Sequence, residues 1–117
     1  MRSPTANTLR HLRAIGYEAG VVERFNPHVG EHGIRQDLFG WMDVLAIRGD
    51  KAGSLGIQST SRDHASHRLR KMVATPALRV WLKAGNRAEL WTWAKVGRRW
   101  RLRRREVTVA DLREVVT

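Results

Sequence analysis

One carboxylate in this chain stands where a carboxylate is costly. Asp43 lies inside Phe39-Gly40-Trp41-Met42-Asp43-Val44-Leu45-Ala46, with apolar neighbours on both sides. Charge in such a strand is disfavoured unless it is paired or bound to a metal. Further on, Gly56-Ile57-Gln58-Ser59-Thr60 is a second apolar strand interrupted by polar groups. The turn cluster at residues 49–53 joins the two as a hairpin. Asp43 and Gln58 then meet near one end of a sheet and offer oxygen ligands to a hard cation. The structural alternative is a buried ion pair of Asp43 with Arg35 or Lys71.

The elements that must position these groups are legible from period and punctuation. Ser3-Pro4 is an N-cap followed by proline at the first helical position, and Leu9, Leu12 and Ile15 recur at helical spacing up to Gly16. This predicts a helix over 4–15. Residues 17–25 are expected as a first strand, 26–37 as a polar glycine-containing loop, 38–47 as a central strand and 54–59 as its hairpin partner. Ser61 caps a second helix over 62–73, with Ala65, Leu69, Met72 and Val73 as its apolar positions and Pro76 beyond its end. Residues 77–84, 88–96 and 100–106 are expected as three further strands. Thr108 then caps a short final helix with Val109, Leu112 and Val115 on one side. The order α-β-β-β-α-β-β-β-α implies an α/β fold with a mixed sheet and helices packed on it.

A chain of 117 residues, 42% apolar and with five tryptophans, suits one domain, 1–117, with a modest core. It has no apolar run long enough to cross a membrane, and no apolar signal core at the N-terminus. The absence of cysteine excludes disulfides and thiolate metal sites and suits a cytoplasmic location. The net charge of +11 is unevenly spread. Residues 1–60 hold seven Lys/Arg against six Asp/Glu, and residues 61–117 hold fifteen against five. Acids to hold a cation in one half and cations to hold phosphates in the other is the division a nucleic-acid enzyme needs.

The tract Arg98-Arg99-Trp100-Arg101-Leu102-Arg103-Arg104-Arg105 concentrates that positive field. On a strand, Arg99, Arg101, Arg103 and Arg105 share one face, while Trp100 and Leu102 point to the core. A ribbon of guanidinium groups suits DNA backbone phosphates without base readout; it also blocks edge-to-edge aggregation. Trp91 and Trp93 are expected in core packing or a dimer contact before base stacking. The pairs His28/His32 and His64/His67 lack a third zinc ligand. Ser59, Ser61 and His64 lack the orienting acid of a catalytic triad, and no glycine-rich phosphate loop is present.

Asp43-Val44-Leu45-Ala46, a turn, and Ile57-Gln58-Ser59-Thr60-Ser61 together resemble the core of the PD-(D/E)XK nucleases, closest to phage and archaeal Holliday junction resolvase-like members. Arg35-Gln36-Asp37-Leu38-Phe39-Gly40 and Trp81-Leu82-Lys83-Ala84-Gly85-Asn86 add to the likeness, which spans roughly residues 5–105. It implies a restriction-endonuclease-like αβββαβ core with extra C-terminal strands. It also implies Mg²⁺, replaceable by Mn²⁺, held by Glu23, Asp43 and Gln58, and hydrolysis of phosphodiesters in branched DNA. A homodimer in the cytoplasm of a bacterial or phage-infected cell, serving recombination, goes with it. Glu23 in Val21-Val22-Glu23-Arg24 takes the role of the further acid in that group; its structural alternative is an exposed strand residue paired with Arg24 or another surface cation.

Two positions depart from the pattern. Gln58 stands where a carboxylate is usual and Thr60 where lysine is usual. Gln58 brings an amide oxygen but no charge, and Thr60 cannot stabilise developing phosphorane charge as an ammonium would. Asp37, otherwise a turn residue, is expected to add a third charge. Lys71 or Arg68, which share a helix face with His64, are expected to reach the phosphate, with Arg35 beside them. The catalytic set is therefore Glu23, Asp43, Gln58, Thr60 and Lys71, and the DNA-binding set Arg35, Arg68, Lys71, Arg99, Arg101 and Arg103. The departures also admit a nuclease-fold protein that binds DNA without cutting it. A basic RNA-binding protein leaves Asp43 unexplained.

Overall fold

The computed structural model describes residues 3–112. Helix α1 (Pro4–Ala14) opens as its cap signal requires: the Ser3 hydroxyl accepts from the Ala6 amide at 3.1 Å, with Pro4 in the first turn. Gly16, at φ 97°, turns the chain out of the helix. Strand β1 (Glu18–Val21) follows, then a separate two-stranded ribbon of β2 (Arg24–Asn26) and β3 (Ile34–Gln36). Strands β4 (Val44–Ile47) and β5 (Leu55–Ser61) form the expected hairpin. A 3₁₀ turn (Arg62–His64), helix α2 (Ala65–Val73) and helix α3 (Pro76–Lys83) cross over to β6 (Arg87–Val96). Strand β7 (Arg99–Val107) and the short helix α4 (Val109–Leu112) complete the described chain.

The five-stranded sheet runs β1-β4-β5-β6-β7. Only β5 and β6 are parallel, which is what a helical crossover allows and a tight hairpin does not. The protein is thus α/β, with a mixed sheet flanked by helices. Side-chain alternation along the strands builds two cores. On one face α1 sets Leu12 against Val44, Ala46, Leu55, Ile57, Trp91 and Trp93. On the other, α2, α3 and α4 set Met72, Leu78 and Leu112 against Trp41, Met42, Leu90 and Val107.

Several expected boundaries are corrected. Residues 77–84 form helix α3, not a strand. Pro76 ends one helix and begins the next, and Leu78, Trp81 and Leu82 lie at helical spacing, with Leu78 fully buried. The sheet therefore has five strands. The expected strand 17–25 divides at Val22–Glu23, because its partner β4 supplies only four paired residues. The polar loop 26–37 contains β3, with Gly33 at φ 79° packed against the Phe25 ring. The expected strand 38–47 begins only at Val44. Ahead of it the chain closes a tight turn in which the Leu38 and Met42 backbones exchange hydrogen bonds of 2.7 and 2.9 Å, with Phe39 and Gly40 both at positive φ.

Trp91 and Trp93 are core residues: the Trp93 indole donates to the Thr8 hydroxyl at 2.9 Å, and the Trp91 indole donates to Glu89. Thr108 and Asp111 bond across the last turn, while Val115 lies outside the described residues. Among the described residues no helix is long and apolar enough to cross a membrane.

Gly56 is the tightest point of the β5 floor. A Cβ there would lie 2.6 Å from both the Trp41 ring and the Met42 methyl. Gly56→Ala is expected to lower the unfolding free energy by about 1–3 kcal/mol, through overpacking of a rigid indole. Urea denaturation reads it directly; an unchanged midpoint would show that Trp41 moves aside freely.

Candidate active site

The hairpin of β4 and β5 brings Asp43 to the end of the sheet. The Asp43 amide donates to the Ile57 carbonyl at 3.0 Å, which locks the residue immediately before β4 against β5. Its carboxylate then accepts from the Ser59 amide, at 3.1 and 3.0 Å to its two oxygens, and from the Gln58 side-chain nitrogen at 3.1 Å. Asp43 is 3% exposed and Gln58 equally buried. The other side of Ser59 is tied to α1, where its hydroxyl shares a 2.8 Å hydrogen bond with Thr8. The strand end holding the carboxylate is therefore anchored from both faces of the sheet.

Two further acids converge on Asp43 from elements that share no strand with it. Glu23 sits just after β1, where the Val22 amide donates to the Asp43 carbonyl at 2.9 Å. Asp37 opens the tight turn that leads from β3 to β4. One carboxylate oxygen from each of Glu23, Asp37 and Asp43 lies within 4.8 Å of the others. Like charges so close disfavour one another, and burial adds to the cost. Burial pushes the Asp43 carboxyl up from 3.8 to about 8; the Ser59 amide works against this, Asp37 and Glu23 add to it, and Arg68 opposes it.

The acids open into a cavity of about 590 Å³, which Arg35, Gln58, Arg68 and Lys71 also line. Arg68 and Lys71 come from α2, and Arg35 from β3, where it bonds Glu23 at 3.2 Å. The partner of Glu23 is thus a surface cation, Arg35, and neither Arg35 nor Lys71 forms an ion pair with Asp43 among the described residues. Gln58 spends its nitrogen on Asp43, and its Oε1 is buried with no hydrogen-bond partner. A buried acceptor without a donor carries a desolvation cost that a bound cation removes. Three carboxylates and one unused amide oxygen form an all-oxygen donor set of the kind that could hold a hard divalent cation.

Of the expected site residues, Glu23, Asp43, Gln58, Lys71, Arg35, Arg68 and the second-rank Asp37 share this one cavity. Thr60 does not. It lies two residues along β5 from Gln58, opposite Thr92, and is buried away from the cavity lining. Arg99, Arg101 and Arg103 are also elsewhere, on the exposed edge strand β7. The cavity wall includes Thr5 and Gln36, which carry no chemical signal in the sequence, and Ser59, whose contribution is its amide. Compared with known proteins, the chain matches no family model, no curated protein and no solved structure.

The Asp43 shift has a thermodynamic consequence. Without a cation the native state holds the proton up to about pH 8, while the unfolded chain releases it near 3.8. This group's contribution to stability is therefore complete below pH 3.8 and is lost as pH rises through about 8. Asp43→Asn is expected to raise the thermal midpoint of the metal-free protein at pH 8 by roughly 5–10 °C, and to have little effect at pH 4. Calorimetry in chelator at the two pH values checks this, and a lower midpoint for the variant at pH 8 would contradict it.

Proposed function

We propose that this chain is a metal-dependent endonuclease of the PD-(D/E)XK type, hydrolysing phosphodiester bonds in branched or otherwise structured DNA. The observation that carries the reading is the convergence of Glu23, Asp37 and Asp43 within 4.8 Å beside the unpartnered oxygen of Gln58, in a cavity walled by Arg68 and Lys71. The order α1, antiparallel β1-β4-β5, helical crossover and parallel β6 supports a restriction-endonuclease-like αβββαβ core, with β7 added at the edge.

In this reading the three carboxylates hold Mg²⁺ or Mn²⁺, and Gln58 Oε1 completes the protein's share of the ligands. When bound, the cation polarises a phosphoryl oxygen and lowers the pKa of a water. The rest of the work belongs to the chain's own groups. Asp43, kept in place by the Ser59 amide, presents its charge on a rigid strand end. Arg68 and Lys71 take the phosphate oxygens and stabilise the charge that develops on them. The ammonium role expected of the Thr60 position passes to Lys71, because Thr60 is outside the cavity. Arg35, paired with Glu23 at 3.2 Å, is a further cation on the cavity wall that would meet the DNA backbone. Symmetric cutting of a four-way junction needs two such cavities, hence a homodimer.

The test is cleavage of a synthetic four-way junction in Mg²⁺ and in Mn²⁺. Wild-type protein is expected to cut, Asp43→Ala to lose at least about a thousand-fold in rate, and Lys71→Ala about a hundred-fold. Thr60→Val is expected to stay close to wild type. Mn²⁺ is expected to raise the wild-type thermal midpoint and leave that of Asp43→Asn unmoved. The neutral Gln58 and the absent lysine favour a second reading, a protein of this fold that grips DNA without cutting it. Salt-sensitive junction binding with no cleavage in either ion would select that reading, and full activity in Asp43→Ala would reject both mechanisms.

A further inference from the structure

Helix α2 separates two cavities. Arg68 and Lys71 line the acidic one, while Ser66 and Leu69 line a second, of about 440 Å³, between α2 and β7. This groove contains none of the three clustered acids. Its apolar lining comes from the half-buried Ala65 and Leu69, with buried Leu90 beneath them, and Arg62 and Arg103 both line it as cations. The two neighbouring arginines are already engaged: Arg104 is bonded to Glu89 at 2.8 Å, and Arg105 to Asp111 at 2.8 Å. Arg103 has no carboxylate partner among the described residues. The Arg62 guanidinium is held by the Arg101 carbonyl at 3.2 Å, and its Nε is buried with no acceptor.

These features fit a phosphate more closely than a carboxylate of the chain itself. A guanidinium positioned by a backbone carbonyl, lining the same groove as a second guanidinium without a carboxylate partner, suits an oxyanion. Along β7 the same strand face continues through Arg101 and Arg99, at a spacing of about 6.6–6.8 Å per two residues. The apolar floor narrows the choice of nucleic acid. A duplex presents phosphates on its outside and keeps its bases stacked within, so it has little to lay on Ala65 and Leu69. An unpaired nucleotide covers an apolar floor with its sugar and base while its phosphate reaches the rim.

We infer that the groove between α2 and β7 binds an unpaired DNA strand, with one nucleotide seated over Ala65 and Leu69, its phosphate at Arg62 and Arg103, and the strand continuing along Arg101 and Arg99. This goes beyond the acidic cavity and stands whether or not that cavity cuts DNA. With both cavities in use, α2 lies between a strand at the acids and a separate unpaired strand on its other side, an arrangement that branched DNA supplies and blunt duplex does not.

The experiment is fluorescence anisotropy in chelator, with a labelled oligothymidylate and a blunt duplex of equal length. Ser66→Glu places a negative charge at an exposed position on the groove wall, and Arg103→Gln removes one rim cation without touching the core. Each is expected to weaken oligothymidylate binding about ten-fold, the worth of one charge-assisted contact, and duplex binding far less. Arg103→Gln is also expected to reduce the dependence of log affinity on log salt by ~0.7. A charge-matched change at exposed Lys51 and Lys83, outside both cavities, is expected to leave oligothymidylate binding unchanged. Thermal unfolding verifies that both groove variants are folded. Unchanged oligothymidylate binding in both variants, or an equal loss on duplex, overturns the inference. Failure of the junction cleavage assay has no bearing on it.

Discussion

The structure turns on a carboxylate held at the desolvated end of a β-hairpin. Asp43 lies between apolar core residues, and the fold meets its hydrogen-bonding needs with one backbone amide, that of Ser59, and one amide nitrogen, that of Gln58. Among the described residues no cation pairs directly with Asp43. Instead the fold brings up two more acids, one behind β1 and one at the head of the 37–42 turn, both of which raise the cost of ionising Asp43. A protein gains no stability from such a cluster in isolation. The proposed cation would offset that cost, and the unpartnered oxygen of Gln58 lines the same cavity.

The crossover governs how the rest of the molecule serves that point. Because β5 and β6 are parallel, the chain between them must traverse the sheet, and it does so with α2 and α3 on the face away from α1. Helix α2 therefore lies over the β5 end carrying Gln58, with Arg68 and Lys71 toward the acids and Ser66 and Leu69 toward β7. One nine-residue helix thus supplies cations to one cavity and a wall to the other. On the opposite face α1 fixes the same strand end through Thr8, Ser59 and Trp93, so the strand that carries the site is braced from both sides.

Where the sequence reading departed from the fold, pairing and packing overrode local pattern. Residues 77–84 alternate well enough to pass as a strand, yet Leu78 and the Trp81–Leu82 pair meet the sheet only as a helix, and Pro76 starts it. The stretch 38–47 is apolar throughout apart from Asp43, but two consecutive left-handed residues, Phe39 and Gly40, fold its first half into a turn. That turn is what carries Asp37 back toward Asp43. Arg104 was legible only as charge; its bond to Glu89 and its stacking 4.8 Å over Trp91 make it part of the core's edge.

The sequence alone determined the chemistry on offer and its coarse framework. An isolated acid in an apolar stretch, a polar break in its hairpin partner and an arginine tract in the basic half are local facts, and local facts of period and capping placed α1, β5, α2, β6 and β7 close to where they lie. Tertiary structure alone decided which groups meet. Glu23 and Asp37 reach Asp43 because strand order puts β1 beside β4 and the 37–42 turn folds back, and Thr60 is excluded because two residues along a strand is a distance of about 6.6–6.8 Å. Composition and spacing record what each residue can do; contact between residues far apart in the chain depends on sheet order and turn geometry, which are settled only when the core packs.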